Sequence, residues 1–340
     1  MPTSHPSSID SIPQLGTFVR QLAAALLVLL LLTTLYGCGA STLAAVDDGS
    51  GGSPSGANGS LGGRRPFPAD NAWNADVSQD PVDPNSQQLI ASCGNRGLHA
   101  DFGTVWNGAP NGIPYVLVHG DQAKVPVTFD YADESDPGPY PIPANAPIEG
   151  GASSSGDRHV LVVDVDNWKL YELFAAYPKS GGGWTAGSGA VFDLASNASR
   201  PSGWTSADAA GLPIFPGLTR YDEAVERGVI DHALRFTCPR TRRAYVDPAR
   251  HYASNDTSSA LPPMGMRVRL KASFDTTSFA PEVRVILRSM MKYGMLLADN
   301  GSAWYVSGAP DSRWSDDNLS QLSRVPSTAF EVVRLGTVHR

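Results

Sequence analysis

Charged side chains are scarce in this sequence, and the basic ones are outnumbered. Asp, Glu, Lys and Arg together make up 17% of the 340 residues, and the formal net charge is −7. A protein that binds nucleic acid tightly needs a basic surface to neutralise the phosphates. The acidic balance therefore argues against nucleic acid as a partner.

Several motifs that identify common enzyme classes are also missing. The sequence has no Gly-x-Ser-x-Gly elbow, no phosphate-binding loop, no Gly-x-Gly-x-x-Gly fingerprint and no His-Glu-x-x-His motif. These motifs supply, in that order, a serine nucleophile, a phosphate cradle, a dinucleotide site and a zinc site. We therefore expect no cofactor and no metal centre.

Glycine and proline are abundant by contrast, with 34 and 27 residues. Both residue types interrupt helices and favour turns. Together with the low charge content, they favour many short strands over long surface helices. The predicted fold is mostly β, an antiparallel β-sandwich or jelly-roll-like domain with a few short helices. A compact α+β domain is the alternative.

The N-terminal segment has the three parts of a secretory signal. A cationic residue, Arg20, precedes an apolar stretch at residues 22–32, and small or neutral residues lead to Leu35-Tyr36-Gly37-Cys38. This ending resembles the lipobox of bacterial lipoproteins, with Leu three positions before the cysteine and a small residue directly before it. The resemblance implies cleavage before Cys38, lipidation of its thiol, and attachment to a bacterial membrane, facing the periplasm or the exterior.

Two alternatives stay open for this segment: an ordinary signal peptide in which Cys38 has no role, and an uncleaved anchor helix. The uncharged stretch at residues 21–35 is shorter than the roughly 20 apolar residues of a membrane-spanning helix. Two or more acyl chains hold a protein firmly at a membrane. The lipid-anchored interpretation therefore predicts a protein of the bacterial cell envelope.

The rest of the chain divides by composition. Residues 38–65 are rich in Gly and Ser and have no apolar period, which predicts a flexible tether. Residues 66–340 are predicted to form a single globular domain. This domain contains Cys93 and Cys238, and an exported protein folds where a disulfide between them can form. Two separate buried thiols are the alternative.

Turn composition predicts two hairpins. Residues 159–165 and 168–174 flank Asp166-Asn167, and residues 295–299 and 302–306 flank Asn300-Gly301. Apolar spacing and stop signals also predict helices. These lie at residues 221–227, 281–293 and 316–323.

The first hairpin carries candidate catalytic residues. Its register places Leu161 opposite Glu172 and puts His159 diagonally from that carboxylate, on one apolar face. An imidazole and a carboxylate on such a face have perturbed pKa values, as acid–base catalysts do. Asp157 and Glu149 lie nearby in the sequence and complete the predicted catalytic set of Glu149, Asp157, His159 and Glu172. Two structural alternatives remain. His159 and Glu172 form a noncatalytic pair at the edge of the core, or Glu149 and Asp157 are solvated acids of a loop.

Candidate substrate-binding residues lie further along the chain. Trp184 and Trp204 occur near turn residues, where an indole can stack on a sugar ring, although Trp fills cores equally well. Arg250 and His251 lie in a basic segment that favours anionic groups. Two carboxylates beside a sugar can cleave a glycosidic bond.

These observations predict an envelope lipoprotein whose domain acts on polysaccharide, as a glycoside hydrolase or a polysaccharide lyase. A noncatalytic module that binds glycan and a structural envelope lipoprotein without a small-molecule ligand are the two alternatives. An enzyme requires a close titratable pair in a cleft, and a binding module requires an aromatic platform. A purely structural protein requires neither.

Overall fold

The computed structural model describes residues 57–340, so the predicted signal peptide and Cys38 lie outside the described residues. Residues 57–65, which the sequence assigned to the tether, contact the domain. The backbone N–H of Asn58 donates to the carbonyl of Tyr115 at 2.8 Å, and the Arg64 guanidinium lies 3.6 Å from the ring centre of Trp168. Backbone hydrogen bonds and a cation–π contact therefore hold this segment against the domain, although it has little apolar surface.

Short strands account for most of the regular structure. The strands are β1 (His99–Asp101), β2 (Val105–Trp106), β3 (Ala109–Pro110), β4 (Tyr115–Val118), β5 (Val127–Phe129), β6 (Val160–Asp164), β7 (Lys169–Phe174), β8 (Tyr177–Pro178), β9 (Trp184–Ala186), β10 (Ser188–Asp193), β11 (Leu234–Cys238), β12 (Tyr245–Val246), β13 (Arg267–Leu270), β14 (Met295–Asn300), β15 (Tyr305–Ser307), β16 (Phe330–Val332) and β17 (Val338–His339).

Helices are few and short. The α-helices are α1 (Ser86–Ser92), α2 (Pro281–Lys292) and α3 (Asp316–Ser320). A π-helix covers Asp222–Arg227, and 3₁₀ turns cover Ala132–Glu134, Phe215–Gly217, Gln321–Arg324 and Ser327–Ala329. The prediction of a β-rich domain with a few short helices is confirmed.

Two large sheets organise the domain. The six-stranded sheet has the order β1-β15-β11-β14-β13-β16, and the four-stranded sheet has the order β10-β7-β6-β4. Smaller sheets are β5-β9-β8, β12-β17 and β2-β3. Strand pairing is mixed, because β1/β15, β11/β14, β4/β6 and β5/β9 run parallel while the other pairs are antiparallel.

The four-stranded sheet is buried on both faces. Leu161 and Leu170 on one face share a core with the six-stranded sheet and with α2, while Val162 and Tyr171 on the other face pack with Trp184 of β9. The first predicted hairpin forms the centre of this sheet. Its register is confirmed, with Leu161 opposite Glu172.

The second predicted hairpin is wrong. β14 and β15 are not paired with each other, because β11 lies between them and bonds to both. The Gly301 and Trp304 N–H groups donate to Cys238 and Thr237 of β11, at 3.1 Å in each case. The Asn300-Gly301 turn therefore joins two strands that lie on either side of β11. Turn composition does not predict that a distant strand pairs with both.

The predicted helices are all found near their expected positions. The helix predicted at residues 281–293 is α2, which starts at Pro281 and stops before Gly294 in a left-handed conformation with φ 70°. Proline fits the first turn of a helix and glycine fits the position after its end. At α3, Ser315 caps the N-terminus by accepting from the Asn318 N–H.

A disulfide joins Cys93, directly after α1, to Cys238 at the end of β11. The predicted pairing is confirmed. Its 145-residue separation closes a long loop. The bridge fixes the N-terminal helix to the strand that borders the candidate site.

Replacing both Cys93 and Cys238 with serine is expected to lower the free energy of unfolding by about 3–5 kcal/mol, because the unfolded chain regains the freedom of this loop. Urea unfolding of oxidised protein measures the change. A reductant should shift wild type by a similar amount and leave the double variant unchanged. Equal sensitivity of both proteins to reductant would contradict the prediction.

Within residues 57–340, α2 is the longest helix, and no helix there has both the length and the apolar character needed to cross a membrane.

Candidate functional site

Titratable side chains converge on a cleft between the outer face of the six-stranded sheet and the loops around the four-stranded sheet. The cleft has two adjoining parts, with volumes of about 350 and 240 Å³. Both parts are lined by Asp157, His159, Asp299 and Asn300. We call the whole space the acidic cleft. Its other titratable lining residues are Asp101, Glu149, Asp208, Arg235, His251, Tyr131 and Tyr305.

Strand alternation builds the floor of the acidic cleft. In β11, Arg235 and Thr237 face the cleft while Phe236 between them is buried in the core. Its neighbour β15 repeats the pattern, with Tyr305 and Ser307 in the cleft. Three short strands thus carry a polar row on one face and a core row on the other, with Asp101 of β1 paired to Ser307.

A β-bulge brings Asp299 to this floor. Phe236 pairs with Leu297, but the next residue, Thr237, pairs with Asp299 rather than with Ala298. Without the extra residue, Asp299 would lie opposite Cys238 and face the other side of the sheet. Bulges commonly re-aim a side chain beside a functional site. The irregularity therefore places this carboxyl group in the cleft.

A strained turn presents Asp157 and His159. Arg158 between them has φ 53°, the left-handed conformation that non-glycine residues rarely adopt. Its buried guanidinium holds the turn by donating to three carbonyl groups, those of Ala176 at 3.1 Å and of Ala152 and Ser154 at 2.9 Å. Strain of this kind persists where surrounding structure enforces it, often at functional sites.

His159 lies beside Glu149. The Nε2 atom of His159 is 3.9 Å from a carboxylate oxygen of Glu149, and the His159 backbone N–H donates to that oxygen at 3.3 Å. The imidazole is buried, whereas the Glu149 side chain is about a quarter exposed. The pair closes the side of the cleft formed by the loop before β6.

Asp208 enters the cleft from a tightly bonded loop. The Ser206 hydroxyl accepts from the Asp208 backbone N–H at 2.9 Å and donates to the Leu212 carbonyl at 2.6 Å. The fully buried Asp208 carboxyl group forms an ion pair with Arg235, at 3.2 Å. Burial raises the pKa of Asp208 to about 7, against the lowering by Arg235.

Glu172 supports this loop from below. Its carboxylate accepts hydrogen bonds from the N–H groups of Ile214 and Phe215, at 2.9 Å, where the loop enters a 3₁₀ turn. Burial raises the pKa of Glu172 to about 8, and these donors oppose the rise. Glu172 holds the segment that carries Asp208.

Two more carboxyl groups in the cleft have raised pKa values. Burial raises the pKa of Asp299, and the negative charge of Asp157 adds to this while Arg235 opposes it. Asp101 is an exposed residue, but the protein atoms around its carboxyl group still raise its pKa by desolvation, and Asp157 acts in the same direction. Raised carboxyl pKa values in a cleft are typical of groups that hold a proton for catalysis.

The structure brings together three of the four predicted catalytic residues, because Glu149, Asp157 and His159 all line the cleft. Glu172 does not line it. The predicted pairing of His159 with Glu172 is wrong, since His159 lies beside Glu149 and Glu172 is bonded to the backbone of the 3₁₀ turn. The strand β6 starts at Val160, so His159 leaves the ladder on which the pairing depended.

The predicted substrate-binding residues are mostly placed elsewhere. Trp184 is buried in the second core and does not line the acidic cleft. Trp204 packs near the Arg200 guanidinium, and Arg250 pairs with Asp247 at 2.8 Å; neither lines the acidic cleft. His251 does line it, and its Nδ1 atom lies 2.8 Å from the carbonyl oxygen of Ala209.

Asp101, Asp208, Arg235 and Asp299 were not predicted as site residues. Arg235-Phe236-Thr237 and Tyr305-Val306-Ser307 do show strict polar–apolar alternation, which marks one face of a strand as polar. Alternation alone does not tell a solvated face from a cleft. The missing information was the order of the strands.

Among residues 57–340, no group of three or more His, Cys, Asp or Glu side chains is arranged to hold a metal ion. The carboxyl groups of the cleft are instead spread around Arg235, His159 and hydrogen-bonding backbone groups. This arrangement suits proton transfer at a bound ligand.

Comparison of the chain with protein-family models, with curated proteins and with solved structures found no match.

Proposed function

We propose that the protein is a glycoside hydrolase whose active site is the acidic cleft. One observation carries the proposal. Three carboxyl groups line one cleft, those of Asp299, Asp101 and Asp157, and the pKa values of the first two are raised. Hydrolysis of a glycosidic bond uses one carboxyl group that is protonated and one that is ionised. A carboxyl group whose pKa is raised by burial provides the protonated member of such a pair.

Asp299 is the proposed general acid. It lines both parts of the cleft, and burial together with the charge of Asp157 keeps its proton bound at higher pH than in a free aspartate. Asp157 lies on the strained turn before β6, lines the same two parts, and is the proposed partner, which activates water or attacks the sugar. His159 and Glu149 border Asp157, and Arg235 offsets part of the negative charge.

The charge of the cleft favours a hydrolase over a polysaccharide lyase. A lyase must neutralise the carboxylate of a uronic acid beside the proton that it removes. Arg235 is the one Lys or Arg lining the cleft within the described residues, and it is already paired with Asp208. Five acidic residues surround it. An anionic sugar would therefore be repelled.

The lipid anchor at Cys38 forms part of the proposal. It would hold the enzyme at the surface of a bacterial membrane, with polysaccharides of the envelope or the exterior within reach. Mass spectrometry of the mature N-terminus tests this part independently of the activity. An unlipidated N-terminus at any other residue would overturn the anchoring and leave the active site unaffected.

The activity is tested with the full-length protein on a panel of soluble polysaccharides that includes β-glucans, xylan, chitosan and polygalacturonate. Both binding and release of new reducing ends are scored. Release from at least one uncharged or amino-bearing polymer is expected, with none from polygalacturonate. Binding without release would instead support a glycan-binding module. The absence of both binding and release would support a structural role.

A further inference from the structure

A second groove continues from the acidic cleft. It has a volume of about 600 Å³ and shares two lining residues, Asp101 and Tyr305, with the cleft. Its outer wall is the β2–β3 hairpin, which carries Trp106. The groove and the cleft therefore adjoin at the ends of β1 and β15, and we call the two together the path.

Trp106 is unusually exposed for a tryptophan. Its relative exposure is 68%, and the adjacent Val105 is 60% exposed. Exposed tryptophan is costly in water, and an indole beside a polar groove is typical of a binding surface with one apolar and one wet side. The indole of Trp106 does not pack in either hydrophobic core of residues 57–340.

The hairpin holds Trp106 in a defined position. Its turn residues Asn107 and Gly108 have φ values of 50° and 81°, as a tight two-residue turn requires. At its base, Thr104 donates through its backbone N–H to Asp316 at 3.0 Å, and its hydroxyl bonds to the same carboxylate. The backbone that carries the ring is thus ordered before a ligand stacks on the indole, which lowers the entropic cost of binding.

Tyr305 lies between Trp106 and the carboxyl groups. The His99 imidazole stacks on it with ring centres 4.1 Å apart and an interplanar angle of 27°, which fixes the orientation of the phenol ring. At the far end of the acidic cleft, Tyr131 is 56% exposed. Aromatic rings therefore flank the carboxyl groups on both sides along the path.

The three parts of the path have volumes of about 600, 240 and 350 Å³. Sites for a single small molecule usually have about 300–1,000 Å³ in total. The path therefore has room for a ligand of more than one or two sugar units. The added groove contributes Asp316 and Asp101 and no Lys or Arg among its lining residues, so anionic groups are disfavoured along its whole length.

From these observations we infer that the substrate is a polysaccharide without anionic groups, bound along the groove so that Trp106 and Tyr305 stack on sugar units beyond the cleaved bond. The inference rests on the proposed hydrolase function. It assigns Trp106 a binding role at a distance from the carboxyl groups. The enzyme then cleaves within chains rather than only at their ends.

The test uses the polymer from the panel that wild type cleaves, and its oligomers of two to eight units. Trp106→Ala is expected to lower kcat/KM about tenfold on the longest oligomers and by less than twofold on the shortest cleaved ones, because only long substrates reach the indole. A loss of one stacking contact corresponds to about this factor. Trp106→Phe should recover most of the activity on long oligomers.

Val225→Ala is the control, because Val225 is an apolar residue of 41% exposure that lines none of the three parts. It should leave all rates unchanged. Equal losses on short and long oligomers in Trp106→Ala, or none on either, would overturn the inference and leave the hydrolase function intact. Absence of cleavage by wild type on every polymer would overturn the proposed function itself, and the inference with it.

Discussion

Replacing Asp299 with asparagine is expected to lower the rate of polysaccharide hydrolysis by about 10²–10⁴-fold, because asparagine keeps the shape of the side chain but cannot give a proton to the leaving oxygen. Substrate binding should be nearly unchanged, since the amide still accepts and donates hydrogen bonds. Release of reducing ends measures the rate, and binding to the same polymer measures affinity.

Aryl glycosides separate the roles of Asp299 and Asp157. A nitrophenolate leaves without help from an acid, so Asp299→Asn should regain most of its rate on such a substrate. Asp157→Asn should stay slow on both kinds of substrate, because its partner role does not depend on the leaving group. If Asp157→Asn regained its rate on aryl glycosides and Asp299→Asn did not, Asp157 would be the general acid and Asp299 its partner.

Asp121→Asn serves as the control, because Asp121 is exposed and lines neither part of the acidic cleft. Its rate should equal that of wild type. If Asp299→Asn kept more than about a tenth of the wild-type rate on polysaccharide, Asp299 would not be the acid, since general acid catalysis contributes at least about a hundredfold.

Local features of the fold could be predicted from the sequence, and long-range ones could not. The first hairpin and α2 follow from a short turn and from apolar spacing within about a dozen residues, and both are confirmed. The second hairpin failed because β11, some 60 residues earlier in the chain, inserts between β14 and β15. The order of strands depends on packing that no local pattern records.

For the candidate site as well, local features could be predicted from the sequence and long-range contacts could not. Glu149, Asp157 and His159 lie within one short segment, and sequence reasoning brought them together. Asp299 reaches the cleft through a bulge, which is a property of strand pairing and not of composition. Glu172 was identified correctly as a buried carboxyl group with a perturbed pKa, but its partners are backbone N–H groups of a distant loop. Trp184 is buried and Trp106 is exposed, because burial depends on which segments of the chain cover each ring.

The free energy of unfolding is expected to fall by a few kcal/mol as the pH rises from about 4 to about 8. Burial raises the pKa values of Asp208 to about 7 and of Glu172 to about 8 in the folded protein. Both exceed the values in the unfolded chain, so in this window the folded state binds more protons than the unfolded state. Stability therefore decreases with rising pH, and each unit of pKa shift contributes about 1.4 kcal/mol.

Other perturbed groups do not hide this effect. Asp76, Asp256 and Asp311 have pKa values lowered by hydrogen bonds, so their contribution is lost only as the pH falls below about 4. The raised pKa values of Asp299 and Asp101 act in the same direction as those of Asp208 and Glu172. Urea unfolding at a series of pH values from 4 to 9 measures the slope.

Glu172→Gln and Asp208→Asn identify the groups responsible. Each amide keeps an acceptor oxygen, for the Ile214 and Phe215 N–H groups in one case and for Arg235 in the other, but it does not titrate. Each variant should therefore lose part of the pH dependence. Between pH 4 and a pH above 8, the free energy of unfolding should fall less in Glu172→Gln than in wild type. A wild-type slope unchanged in both variants would show that these carboxyl groups do not bind their protons more tightly in the folded protein.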